Sequence, residues 1–165
     1  MAGERAWVET VKTDIEAALT AKDIVVETGH RLPYAVYVAN YRSKSGELAE
    51  GDPVIKSHGY QTDLLIAERL SPAGDWIPRV AVEFKLRSVS THDALTYSAK
   101  AATHKNAHPY LRYGIVIGGY NGPVPKRLIR HGHHFDFMVT LASEKLTDVD
   151  RERLVQLLRD ELKAS

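Results

Sequence analysis

Two stretches decide the fold, Thr62-Asp63-Leu64-Leu65-Ile66-Ala67 and Val80-Ala81-Val82-Glu83-Phe84-Lys85-Leu86, with the breaker segment Ser71-Pro72-Ala73-Gly74-Asp75 between them. In the second, Val80, Val82, Phe84 and Leu86 alternate with Ala81, Glu83 and Lys85, the period of a strand, which puts Glu83 and Lys85 on one face. Pro72 and Gly74 predict a turn, so the two strands form an antiparallel hairpin. Centring the turn on Ala73 sets Asp63 opposite Glu83. Opposed residues on a sheet face lie roughly 5 Å apart at Cβ, and like charges there are unfavourable unless compensated. A hard divalent cation is the simplest compensation: Mg²⁺ is held by one or two carboxylates, with water and substrate phosphate completing its shell. Lys85, one pleat from Glu83, offsets residual negative charge and reaches a water on the cation. The bland alternative is a solvated face with a Glu–Lys pair.

Outward from the hairpin, Glu4 to Lys22 predicts an amphipathic helix with Trp7, Val8, Val11, Ile15, Ala18 and Leu19 on one face. Its acids Glu4, Glu9, Asp14 and Glu16 are spread round the helix, and none is assigned to the site. Tyr34 to Tyr41 reads as a strand, and the polar, Gly- and Pro-bearing stretch Ser43 to Ser57 as a long loop suited to groove contacts. After Lys85 a capping region, Ser88 to Thr91, leads into a helix over Asp93–Ala107 that His108-Pro109 ends. Leu95, Ala99, Ala102 and Ala101 are its expected packing face, with Lys100, His104 and Lys105 elsewhere. Tyr113 to Gly119 reads as a buried strand, Phe135 to Leu141 as another, and Asp148 to Lys163 as a terminal helix with Leu154, Leu157, Leu158 and Leu162 inward.

The trio Asp63 … Glu83-Phe84-Lys85, followed by a helix and the strand Tyr113–Gly119, resembles the PD-(D/E)XK nuclease superfamily, whose best-known members are type II restriction endonucleases. The resemblance spans residues 3 to 120 and departs from the signature at Thr62, where the motif has Pro. It implies an α/β fold with a mixed sheet, an αβββαβ core and flanking helices. Asp63 and Glu83 are then metal ligands, the Phe84 carbonyl a further ligand, and Lys85 the group that orients or helps deprotonate the attacking water. The implied activity is Mg²⁺-dependent hydrolysis of DNA phosphodiesters, with Mn²⁺ able to substitute. Duplex DNA cut by a homodimer is the first expectation. A structure-selective nuclease, such as a Holliday-junction resolvase or repair enzyme, and a non-catalytic nucleic-acid-binding protein are the alternatives.

The chain has 165 residues and 44% apolar content, which predicts one domain over 1–165. It has no Cys, which excludes disulfides, thiolate nucleophiles and Cys-based zinc sites. No segment reads as a signal peptide, and no apolar run approaches the ~20 residues of a membrane span, so a soluble, cytoplasmic protein is expected. The net charge is only +1, but Lys85 to His134 carries eight Lys/Arg against one acid, Asp93. That asymmetry suits a surface presented to a polyanion. Its candidate phosphate contacts are Lys100, Lys105, Lys126, Arg127 and Arg130, joined by His58, five positions before Asp63. His104 and His108 have the i, i+4 spacing of a zinc helix, but the text His-Lys-Asn-Ala-His lacks the glutamate of H-E-x-x-H. No phosphate loop, nucleophile elbow or dinucleotide fingerprint is present, so no nucleotide cofactor is expected.

Overall fold

The computed structural model describes residues 3–19, 21–43, 46 and 51–165. Along the chain these form α1 (Glu4–Ala18), β1 (Ile24–Thr28), β2 (Arg31–Ser43), β3 (Gly51–Gln61), β4 (Leu64–Arg69), β5 (Trp76–Leu86) and α2 (Thr91–Ala107), followed by β6 (Arg112–Gly118), α3 (Lys126–His131), β7 (Phe137–Thr140) and α4 (Asp148–Ala164). A mixed five-stranded sheet runs β1-β4-β5-β6-β7, antiparallel through β5 and parallel beyond it. Parallel neighbours need a crossover, and α2 supplies it between β5 and β6.

The sheet separates two cores. On one face Val80, Val82, Phe84 and Val116 meet Trp7, Val11 and Ile15 of α1 and Leu154 and Leu158 of α4. On the other, Ala81, Tyr113, Ile115 and Ile117 meet Ala94 and Ala101 of α2 and Leu128 of α3. Helices on both faces explain why β6 is buried along nearly its whole length. Gly118 ends β6 under the Trp7 indole, which a Cβ at that position would overlap, and Trp7 stands edge-on to Phe84 at 5.4 Å.

The β4–β5 hairpin has the expected register beside the acids: Leu64 opposes Val82, Leu65 opposes Ala81 and Ile66 opposes Val80. It then shifts, with Ala67 opposing Pro78. Proline has no N–H for the ladder, and a bulge is where a strand tolerates it.

Three expectations are corrected. The strand over Tyr34–Tyr41 is not part of the main sheet; it lies in β2, which pairs only with β3 in a separate two-stranded ribbon. The edge strand beside β4 is β1 instead. Ser43 to Ser57 is not a loop throughout, since β3 starts at Gly51; residues 44–45 and 47–50 of that stretch lie outside the described residues. A ribbon wet on both faces needs no apolar alternation, so β3 carries no strand signature. Finally, α2 packs through Ala94, Ser98, Ala101 and His104, and Leu95 points to solvent. The helix is rotated so that Lys100 turns toward Glu83 and the Tyr97 ring toward Lys85. Its start agrees with the sequence: Ser90 caps it, accepting from Asp93 N at 3.0 Å while its own N–H donates to Asp93 Oδ2 at 2.8 Å.

Candidate active site

Asp63 stands just ahead of β4 and Glu83 near the end of β5, so both open on the same end of the sheet. Thr62 fixes that approach. It is fully buried, and both its N–H (2.9 Å) and its hydroxyl (3.1 Å) donate to His30 O. A proline there could make neither bond. Asp63 Oδ2 accepts the Phe84 N–H at 2.8 Å, which ties the two acid-bearing segments together.

Asp63 and Glu83 lie in the wall of a cavity of about 610 Å³, closed on one side by Glu4, Arg5, Val8 and Glu9 of α1 and on the other by Tyr97 and Lys100 of α2. Glu83 is 1% exposed. Its Oε1 accepts from Lys100 Nζ at 2.6 Å and from the Tyr113 hydroxyl, and Lys100 also donates to Gln61 O. Burial, reinforced by the nearby Asp63 carboxylate, pushes the Glu83 carboxyl up to about 7 against the pull of Lys100 and Tyr113. The Tyr113 hydroxyl is pushed far up by burial and then by Glu83, so it remains a donor.

Lys85 shares the Glu83 face but is directed to α1. Its Nζ lies 3.2 Å from Glu4 Oε1, and the other Glu4 oxygen accepts from Leu86 N at 3.1 Å. Burial works against the Lys85 charge, but Tyr97 and Glu4 outweigh it and hold the ammonium well above its ordinary range. The Tyr97 ring sits between two cations, 5.1 Å from Lys85 Nζ and 5.7 Å from Lys100 Nζ. Lys100 lines the cavity and Lys85 does not.

The other candidate contacts disperse. Lys105 pairs with Asp136 at 3.1 Å, a bond that also positions β7 through Asp136 and Tyr113 N. Lys126, Arg127 and Arg130 are exposed on α3, and His58 is stacked on Tyr37 at 5.2 Å out on the ribbon. His104 and His108 do not converge on an ion. His104 is fully buried against Tyr113, and His108 Nε2 lies 2.8 Å from Pro33 O.

Sequence reasoning placed Lys100 off the expected packing face of α2, as a phosphate contact, and singled out neither Tyr97 nor Tyr113 for the site. The available signal was the row Ala94, Ser98, Ala101: small residues at helical spacing seat the helix closely and leave Tyr97 and Lys100 on its flank.

The donor set suits a hard divalent cation. Asp63 Oδ1 and Glu83 Oε2 take no hydrogen bond among the described residues, and two carboxylate oxygens with water are a normal Mg²⁺ complement. Among the described residues no three His, Cys, Asp or Glu side chains converge as a ready-made cage, so a cation held by these two acids would need water or substrate oxygens for the rest of its shell. No model of a known protein family matches the chain, and no curated protein does. Among the described residues no helix is long and apolar enough to cross a membrane.

Proposed function

We propose that the chain is a Mg²⁺-dependent endonuclease that hydrolyses phosphodiesters of duplex DNA, acting as a homodimer like the restriction-type PD-(D/E)XK enzymes it resembles. The observation that carries this reading is Glu83, a carboxylate 1% exposed, set beside Asp63 in the wall of an open cavity. A buried acid is costly to the fold, and such groups cluster at functional sites. The order α1, β1, β4, β5, α2, β6, once the ribbon is set aside, supports the same family.

Asp63 and Glu83 would hold the cation, which when bound lowers the pKa of a coordinated water and screens the phosphate. The chain's own residues do the rest. The Phe84 N–H fixes one Asp63 oxygen so that the other stays available to the cavity. The resemblance gives Lys85 the role of orienting the attacking water; held by Glu4 and Tyr97 outside the cavity lining, it would have to leave Glu4 to do so. Lys100 presents its ammonium where charge develops on the non-bridging oxygens, and a preorganised cation there stabilises the transition state more than the ground state.

The test is cleavage of linear duplex DNA with Mg²⁺ or Mn²⁺ by wild type, Asp63→Asn and Glu83→Gln. Discrete fragments from wild type, and a loss above ~100-fold in both folded variants, are expected. Cleavage confined to branched DNA would favour a resolvase or repair enzyme. A second reading, a binding protein that uses the trio structurally, is favoured by the Lys100–Glu83 pair and by the lack of a three-ligand cage among the described residues. Wild type that binds DNA and leaves it intact would decide for it.

A further inference from the structure

The β2–β3 ribbon grows from the rim of the acidic cavity. Gly29 and Gln61 line that cavity and form the ribbon's root, where Gln61 Nε2 donates to Gly29 O at 3.0 Å. His108, at the end of α2, steadies the root through Pro33 O. The 11 residues of β3, at about 3.3 Å each, carry the arm about 35 Å from its root. Beyond Ala35 most of both its faces is exposed. An isolated hairpin is at best marginally stable in water, so a projecting one gains from a surface to lie on.

The register sorts the ribbon into two unlike faces. Tyr37 opposes Lys56, Ala35 opposes His58 and Arg42 opposes Asp52 on one; Val36, Val38, Tyr41 and Ile55 occupy the other. On the first face the Tyr37 ring stacks on His58, and nearer the root Tyr34 stacks on Tyr60 at 4.3 Å. The described residues of both strands carry Arg31, Arg42 and Lys56 against a single acid, Asp52.

We propose that this ribbon is a DNA arm that lies in the major groove, its Tyr37, Lys56 and Arg42 face turned to the duplex. Its positive charge complements the phosphates. A major groove about 12 Å wide admits a two-stranded ribbon, whose strands lie about 4.8 Å apart. The arm's reach is about one helical turn, ~34 Å, so its groove stays close to the bond that the cavity would receive. The inference takes its substrate, duplex DNA, from the nuclease reading, but its test does not depend on cleavage. The rival occupant is a second copy of the chain, seated on the Val36, Val38, Tyr41 and Ile55 face.

The experiment is fluorescence anisotropy with a labelled duplex of about three turns, in EDTA and over a range of salt. Arg42→Ala/Lys56→Ala is compared with Val36→Ser/Ile55→Ser, and sedimentation is run on both. Expected are an affinity loss of about tenfold or more in the first variant and a salt slope reduced by roughly 2, one for each phosphate contact removed, with the second variant near wild type. Unchanged affinity and slope in a folded Arg42→Ala/Lys56→Ala overturn the proposal. So does a Val36→Ser/Ile55→Ser variant that becomes monomeric and loses DNA binding while the other keeps it. Wild type that cuts nothing, yet loses binding on Arg42→Ala/Lys56→Ala, sinks the nuclease reading and leaves the arm standing.

Discussion

Lys100 and Glu83 form a buried ion pair, Nζ to Oε1 2.6 Å, with only 11% and 1% of their side chains exposed. Removing one partner of such a pair strands the other charge at a cost of about 3–5 kcal/mol, whereas removing both is often close to neutral. Lys100→Met is expected to destabilise the fold by about 3 kcal/mol at alkaline pH, and Lys100→Met/Glu83→Gln to recover most of that loss. Urea unfolding of wild type, both single variants and the pair reads the coupling. Strictly additive losses would show that the pair holds nothing together.

The two ammonium groups on either side of Tyr97 are expected to differ in catalysis. Lys85 is engaged by Glu4, whereas Lys100 lines the cavity that would hold the phosphate. Cleavage by Lys100→Ala should fall by about 10³-fold and by Lys85→Ala by about tenfold, with DNA affinity of both within a few-fold of wild type. Single-turnover rates decide. A Lys85→Ala variant more impaired than Lys100→Ala would return the leading role to Lys85.

In the proposed function Glu83 would bind a cation as a carboxylate, and burial lifts its pKa to about 7. Mg²⁺-dependent cleavage is therefore expected to rise about tenfold per pH unit below pH 7 and to level off above it. A rate constant that is flat from about pH 5.5 to 8.5 would contradict the assignment of Glu83 as a ligand.

His104 governs stability in the opposite sense. It is fully buried, and burial, with Lys100 adding, outweighs the nearby Pro33 carbonyl and lowers its pKa to about 4 from the ordinary 6.5. The unfolded chain therefore binds a proton at this residue that the fold refuses. Its share of stability is complete above pH 6.5 and is lost as the pH falls toward 4, by at most about 1.4 kcal/mol per unit. Glu83, raised from 4.5 to about 7, has the reverse slope and takes stability away as the pH rises across that interval. His104→Phe keeps a ring against Tyr113 and should gain on wild type steadily as the solution is acidified below pH 6.5. Thermal melts at several pH values measure the gap, and a gap that does not widen would mean that His104 is charged in the fold.

The acids were readable because hairpin chemistry is local. Pro72 and Gly74 mark the turn, the alternation of Val80 to Leu86 sets the faces, and the pairing of Leu64 with Val82 carries the register up to Asp63. The bulge at Pro78 leaves that register untouched, since it falls on the turn side of Ile66. What the sequence concealed depends on tertiary contacts. Ala94, Ala99, Ala101 and Ala102 are equally small, so composition does not say which pair faces the sheet; the pull of Glu83 on Lys100 decides it. β3 lacks a strand pattern because water lies on both its sides, and Gly51, Pro53 and Gly59 read as breakers. β1 escaped notice because Ile24-Val25-Val26 is too short a run to stand apart from the end of α1.

Trp7 stands edge-on to Phe84, and the Phe84 amide is bonded to Asp63, so an indole lies two contacts from the acids. The only other indole, Trp76, is half exposed at the far end of β5 beside His30. With Trp76 replaced by Phe, the tryptophan emission of the chain comes from a single indole, behind the wall that carries Asp63 and Glu83. Under the proposed function, that indole would report the arrival of ions or DNA without any attached dye.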